Sequence, residues 1–286
     1  MKPSPHQIVR IYSPESLLSR PGVMILEMFS DLWKGGELAW RLFLRDVSAQ
    51  YRQSYLGYIW AFLPPLISSL TFVFLNSQGL FSTGKTGLPY AAFAMIGTLL
   101  WQVFVDALNA PVNALQSSKS MLAKINFPRE SLLVAGIAMV LFNFLVRLVL
   151  LVGVLVFFHV RPDAGLIFFP IAILALIFCG TACGLAVAPL GALYGDIGRA
   201  IPLFTSFWML LTPVVYPAHT SGLAGWLATW NPVSPLIMVA RHSLTGDSLS
   251  PLTPFFCVFS ASLLVLLAGW ISFRIAMPHL IARMGG

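Results

Sequence analysis

Residues 132–158 read LLVAGIAMVLFNFLVRLVLLVGVLVFF. Only Asn143 and Arg147 interrupt the apolar run, which exceeds the roughly 20 residues a helix needs to cross a bilayer. A helix on a soluble core would show a polar face at 3.6-residue period, and this stretch has none. A barrel strand would alternate polar and apolar over about ten residues, and it does not alternate either. The segment therefore decides the fold class, an all-α integral membrane protein.

The rest of the chain agrees. Of 286 residues, 58% are hydrophobic and 9% are charged, against about 25% charged in a soluble domain. An ordinary soluble enzyme, a disordered chain and a disulfide scaffold are excluded. Cys179, Cys183 and Cys257 all lie in apolar runs and read as packing residues. Six transmembrane helices are expected, at about 57–76, 90–110, 131–158, 166–190, 201–216 and 254–277. Pro64-Pro65 bends the first, and the fifth is short, with Pro202 and Pro213. The segment 217–253 holds two short semi-apolar stretches, 223–230 and 235–244, joined at Asn231-Pro232. Each is too short to cross, and both are expected as re-entrant or surface half-helices. Trp226 and Trp230, one turn apart, suit the headgroup level.

Ahead of the first span, 1–24 is a polar, proline-punctuated tail with no continuous apolar core of a signal peptide. Within 25–55, Trp40, Phe43, Leu44, Val47 and Tyr51 make an apolar stripe at helical spacing, and Arg41, Arg45, Ser48 and Arg52 make a second one beside it. This pattern fits an amphipathic helix lying in the membrane interface, or one packed on another protein helix. Gly35-Gly36 breaks it from an earlier piece. Residues 56–286 form the transmembrane domain, with a polar loop at 114–130.

Charge sets the expected topology. Thirteen of the 17 basic residues fall on one side if the N-terminus is inside, while Lys85, Arg161 and Arg241 fall on the other. That bias predicts N- and C-termini in the cytoplasm. Basic residues spread this way do not make a nucleic-acid surface. Arg147 lies midway along the third span, one turn after Asn143, where a charge costs at least a few kcal/mol unless paired or hydrated. Two readings stay open: a site facing a transport path that attracts an anionic group, or an ion pair with Asp106 at similar depth on the antiparallel second span.

One motif is false. Residues 79–86 (GLFSTGKT) match the phosphate-loop pattern letter for letter. A membrane span precedes them where a buried strand is required, however, and Gly87 and Pro89 interrupt the place of the helix that should start there. The five histidines are scattered and no metal-ligand spacing occurs, so no catalytic group, metal or resident cofactor is expected. The loop 117–130 is more informative. Ser120–Asn126 can form a short helix with Met121, Leu122 and Ile125 on one side, and Pro128 sets a boundary before the third span. Such a helix is able to insert into a groove of a partner protein, or it merely anchors topology.

Several patches here resemble polysaccharide-export ABC-transporter permeases, which move O-antigen, capsule or teichoic-acid chains. They are Arg45-Asp46-Val47 with Tyr51-Arg52-Gln53-Ser54, Leu56-Gly57-Tyr58-Ile59-Trp60-Ala61 and Pro64-Pro65-Leu66; Leu122 with Lys124 to Glu130; Tyr194 with Asp196-Ile197; Leu211 to Tyr216; and Asn231-Pro232 with Pro235 and Arg241. Gly195 departs from the basic residue expected before Asp196. The resemblance runs from about residue 30 to the C-terminus. It implies a homodimeric permease in the bacterial inner membrane, bound to two copies of a cytoplasmic ATPase that holds the ATP and Mg. The cargo would be a polyprenyl-diphosphate-linked glycan. Ser120, Met121, Leu122, Lys124, Ile125, Phe127, Pro128, Arg129 and Glu130 would form the ATPase-coupling segment. The interface helix and entrance would use Trp40, Arg41, Arg45, Asp46, Tyr51 and Arg52, its arginines suited to a pyrophosphate headgroup or to anionic lipid. Candidates to line the path are Tyr58, Trp60, Trp101, Phe104, Asp106, Asn143, Arg147 and Trp208. Sugar rings stack on aromatic faces while their hydroxyls stay solvated. Tyr216, Trp226, Trp230, Asn231 and Arg241 would belong to an external gate. The competing functions are an ABC permease for a drug or small molecule, and an ATPase-independent membrane-embedded enzyme or assembly factor.

Overall fold

The computed structural model describes residues 21–51, 55, 57, 59–79, 87–125, 127–217 and 222–284. The phosphate-loop letters after Gly79, the N-terminal tail through residue 20, Arg52 and Tyr58 lie outside them, as does the side chain of Tyr51. The described residues form helices and no strand: α1 Pro21–Lys34, α2 Gly36–Tyr51, α3 Ile59–Ser77, α4 Tyr90–Ser117, α5 Lys119–Lys124, α6 Glu130–Phe157, a 3-10 turn Ala164–Phe168, α7 Phe169–Leu193, α8 Gly195–Leu211, α9 Gly222–Trp230, α10 Val233–Thr245 and α11 Leu252–Met284.

Four of these are long and apolar enough to cross a membrane: α4, α6, the 3-10 turn with α7, and α11 over Leu252–Pro278. The other two expected spans are shorter. α3, Ile59–Ser77, has 19 residues, and α8 has 17. The fifth span is displaced from its expected place, since α8 starts at Gly195 and stops at Leu211. Thr212 precedes Pro213, whose ring disfavours a helical conformation at the residue before it, and Thr212 is extended (φ −104°, ψ 140°).

α4 is the axis of the bundle. Its apolar window is 72% buried, against 11% for that of α11. α7 lies along it at close range because Gly180 and Gly184, four residues apart, present bare backbone. A Cβ at Gly180 would stand 2.6 Å from the Phe104 carbonyl oxygen, and one at Gly184 would strike that of Leu108. This small-xxx-small spacing is the usual device for drawing membrane helices together, since lipid supplies no hydrophobic drive between them. Gln116 Nε2 adds a bond across the pair to the Gly191 carbonyl (3.1 Å).

α2 is tied to the bundle by part of the expected stripe, Phe43 and half-buried Val47, joined by Ala39 and Leu42. Ala39, Leu42 and Phe43 are buried, with Phe43 edge-on to Phe142 of α6 at 6.0 Å. Trp40 and Leu44, from the expected apolar stripe, are exposed. The helix is therefore both packed on protein and open on one side. The chain turns from α1 into α2 at Gly35, where any Cβ would meet Ser131; Ser131 Oγ donates to the Gly35 carbonyl (3.1 Å).

Candidate functional site

Polar chemistry collects in three places: the α5 end of the bundle, the middle of α4 and α6, and the opposite, α10 end.

At the α5 end, α5 packs on α11 and α4. Leu122 is buried and anchors α5, whereas Ser120, Lys124 and Ile125 are exposed and Met121, Phe127, Pro128 and Arg129 are half-buried. Glu130 does not face outward with them. It is buried and accepts a 2.5 Å bond from Arg274 Nη1 of α11. Arg274 Nη2 also donates to Asp31 (3.0 Å) and Glu27 (3.3 Å) of α1. One guanidinium thus ties α1, α6 and α11 beside the 118–130 loop, and Phe29 meets Trp270 edge-on at 5.5 Å alongside it. Glu130 belongs to the expected set, but Glu27, Asp31 and Arg274 do not. They lie far apart in the chain, so nothing in their spacing pairs them. On α2, Arg41 donates to Glu37 (2.7 Å) and Arg45 to Asp46 (2.8 Å). The charges of the two described entrance arginines are matched by carboxylates of the same helix.

In the middle, Arg147 meets Asp106 at 2.5 Å, both side chains largely buried (8% and 16% exposed). Gln102 Nε2 donates to the other carboxylate oxygen (3.0 Å). Of the two readings of Arg147, the ion pair is the one formed. Asn143 is half-buried one turn away.

The expected path aromatics fall into two groups. Trp101 and Phe104 are buried and pack on Trp208 of α8, with centroids at 6.3 and 5.1 Å. Burial leaves them no face for a sugar within one protomer. Trp208 is half-buried, and its Nε1 is held by Asn231 Oδ1 (3.1 Å). Trp60 of α3 is 58% exposed, in a row of exposed apolar side chains with Ile67, Leu70 and Phe74.

At the α10 end, α8 stops and the chain turns back through α9. Asn231 organises this turn with all its polar side-chain atoms. Its Oδ1 accepts from Trp208 Nε1 and from the Val233 amide (3.1 Å), which starts α10. Its Nδ2 donates to Thr212 Oγ1 (2.7 Å) and the Leu211 carbonyl (3.4 Å). Tyr216 Oη donates back to the Leu210 carbonyl (2.9 Å). Trp226 and Trp230 are exposed side by side on α9. α10 ends on Gly246 in the left-handed conformation (φ 73°), the usual helix stop. Arg241 is buried. Its guanidinium lies 3.8 Å over the Phe93 ring, and it donates to the Pro213 and Val214 carbonyls. Among the described residues, no cluster of His, Cys, Asp and Glu could hold a metal.

Comparison with known proteins identifies the family. Residues 37–245 match the family model described as ABC-2 type transporter. The chain is 24% identical over 197 residues to the O-antigen export system permease protein RfbA of Myxococcus xanthus, covering 68% of this chain and 74% of that one. It is 20% identical over 201 residues to an RfbA of Klebsiella pneumoniae (69% and 76%). It is 19% identical over 217 residues to the polysialic acid transport protein KpsM of Escherichia coli (73% and 81%). The matched region runs from the start of α2 to the end of α10, so it takes in α5, the buried ion pair and the Asn231 turn together; the chain belongs to the ABC-2 type transporter family of membrane proteins.

Proposed function

We propose that this chain is the membrane-spanning permease of an ATP-driven exporter of lipid-linked polysaccharide in the bacterial inner membrane. The observation that carries the proposal is the family match over 37–245, joined to relatives named for O-antigen and polysialic acid transport.

Work reaches the permease through α5. α4 and α6 form a hairpin with α5 at its tip, and the Arg147–Asp106 pair crosses that hairpin. Asp106 lies about 16 Å along α4 from α5, and Arg147 about 26 Å along α6 from its start, at 1.5 Å per residue. A push on α5 is therefore passed to both helices together. Exposed Ser120, Lys124 and Ile125 form the face for a cytoplasmic ATPase, with Leu122 as the anchor. The charge bias puts α5 and both termini in the cytoplasm.

Two copies of the chain pair, and α3 and α8 complete the six spans against the partner copy. Support comes from their exposed rows, Trp60, Ile67, Leu70 and Phe74 on α3 and Leu203, Phe204, Phe207 and Leu210 on α8. The glycan passes between protomers along these helices, and α9 and α10 fold into the outer leaflet as a gate. The exposed aromatics of α3 and α8 offer sugar-stacking faces.

The test is co-purification of the full-length permease with a cytoplasmic ATPase, followed by ATPase assays in lipid. Stimulation by a polyprenyl-diphosphate glycan, and none by amphipathic drugs, is the expected result. Stimulation by drugs alone replaces the glycan with a small molecule, and a permease that acts with no ATPase bound overturns the reading.

A further inference from the structure

α8 stops at Leu211 while the apolar sequence runs on to Tyr216, and irregular backbone inside a membrane persists only where its polar groups find partners within the protein. The carbonyls of residues 211–214 are each accounted for. Leu211 O receives Asn231 Nδ2, and Thr212 O receives the Val214 amide. Pro213 O and Val214 O receive the two Nη groups of Arg241.

Arg241 is unusual in its own right. It is 4% exposed, no carboxylate pairs with it among the described residues, and its Nε has no hydrogen-bond partner among them. A buried guanidinium without a carboxylate is costly. Among the described residues its charge is met by the carbonyls of Pro213 and Val214, just past the C-terminal end of α8, and by the face of Phe93. Gly97 closes the arrangement from α4, since any Cβ there would collide with both the Val214 carbonyl and Arg241 Nη2. Three helices far apart in the chain, α4, α8 and α10, are thus fitted around residues 212–215, and Thr212, Val214 and Val215 are all buried.

We infer that Arg241 is a positioning residue for transport. By holding the Pro213 and Val214 carbonyls it fixes the unwound end of α8 in a dry seat and so seals the α10 end of the permease at rest. Without it, those carbonyls have only water to turn to, and water must enter the seat. The consequence for export rests on the reading given under Proposed function; the sealing itself does not.

The test uses the full-length permease with Cys179, Cys183 and Cys257 replaced and Val214→Cys introduced, reconstituted in vesicles. The probe is a membrane-impermeant maleimide, with leak of a small trapped dye measured in parallel. Arg241→Met is expected to raise labelling at position 214 at least tenfold and to open a dye leak. Arg241→Lys, which keeps one cationic donor, is expected to fall between it and the parent. Gly97→Ala disturbs the same bonds from the α4 side and is expected to give the same leak, which keeps the test available if Arg241→Met does not fold. A parallel protein retaining only Cys179, buried in α7, must stay unlabelled. Unchanged labelling and no leak in both Arg241→Met and Gly97→Ala overturn the inference. Labelling of Cys179 together with position 214 overturns it too, because the arginine would then hold the whole bundle rather than this seat. Neither outcome touches the exporter reading, which stands or falls on the ATPase assay.

Discussion

Asp106→Asn isolates the buried ion pair with almost no change of shape. The amide still accepts from Gln102, but the Arg147 guanidinium, 8% exposed, loses its countercharge. Two unit charges about 4 Å apart at an effective dielectric near 20 attract by about 4 kcal/mol. Breaking one side of a buried pair typically costs about 3–5 kcal/mol. Hydrogen bonds measured within membrane bundles fall below such estimates, so a loss of about 3 kcal/mol is expected. In a chain of this size about 1 kcal/mol moves a thermal midpoint by roughly 2–4 °C, which gives a drop of order 10 °C in detergent. Arg147→Gln should cost a similar amount. The double variant, with both groups neutral, should recover most of the loss, because a neutral pair of similar volume is often as stable as the ion pair it replaces. Thermal midpoints of the four proteins form the cycle, and export by each supplies the functional arm. Additive effects, with a coupling below about 0.5 kcal/mol, would refute the pair as a structural element. A double variant that is stable yet unable to export would refute it differently, by restoring Arg147 as an anion site.

Three further outcomes are expected. Gly180→Ala places a methyl 2.6 Å from the Phe104 carbonyl oxygen, so α4 and α7 must separate; the membrane-inserted yield and thermal midpoint should fall well below those of Gly136→Ala, whose nearest neighbour is at 3.3 Å. Arg274→Gln leaves Glu130 buried beside Asp31, and a loss of about 3 kcal/mol should appear as protease cleavage between α1 and α2 before any cleavage elsewhere; the double variant Arg274→Gln, Glu130→Gln should resist longer than the single. Asn231→Asp keeps the acceptor for Trp208 and Val233 but removes the donor to Thr212 and Leu211, so it should retain more stability than Asn231→Ala and show less quenching of Trp fluorescence by aqueous iodide.

How much is legible in the sequence depends on how local each signal is. The run 132–158 needs no partner to be read, because length and apolarity alone demand a helix. The Asn143–Arg147 interruption points to Asp106 since both sit at mid-depth on antiparallel neighbours. The end of α8 is marked in principle by Pro213, yet apolarity continues to Tyr216 while the helical backbone does not, so a span drawn from apolarity ends too late. The Gly180–Gly184 spacing is a readable helix-contact signal, masked by the two cysteines interleaved with it. The Arg274 cluster is beyond reach, as its carboxylates stand at positions 27, 31 and 130 and only tertiary packing joins them. The same holds for Trp101 and Phe104. Aromaticity says that a ring suits a sugar, and only the position of α8 says whether the ring is covered.

The shortness of α8 bears on the lipid as well as on the protein. Gly195–Leu211 spans about 26 Å at 1.5 Å per residue, against a hydrocarbon layer of about 30 Å. A bilayer meeting α8 directly would have to thin by about 4 Å, at a modest cost for each ångström. In the proposed pairing of two copies, α8 faces the second protomer instead, the deficit becomes a notch in hydrophobic thickness, and a polar chain crossing there has less low dielectric to traverse.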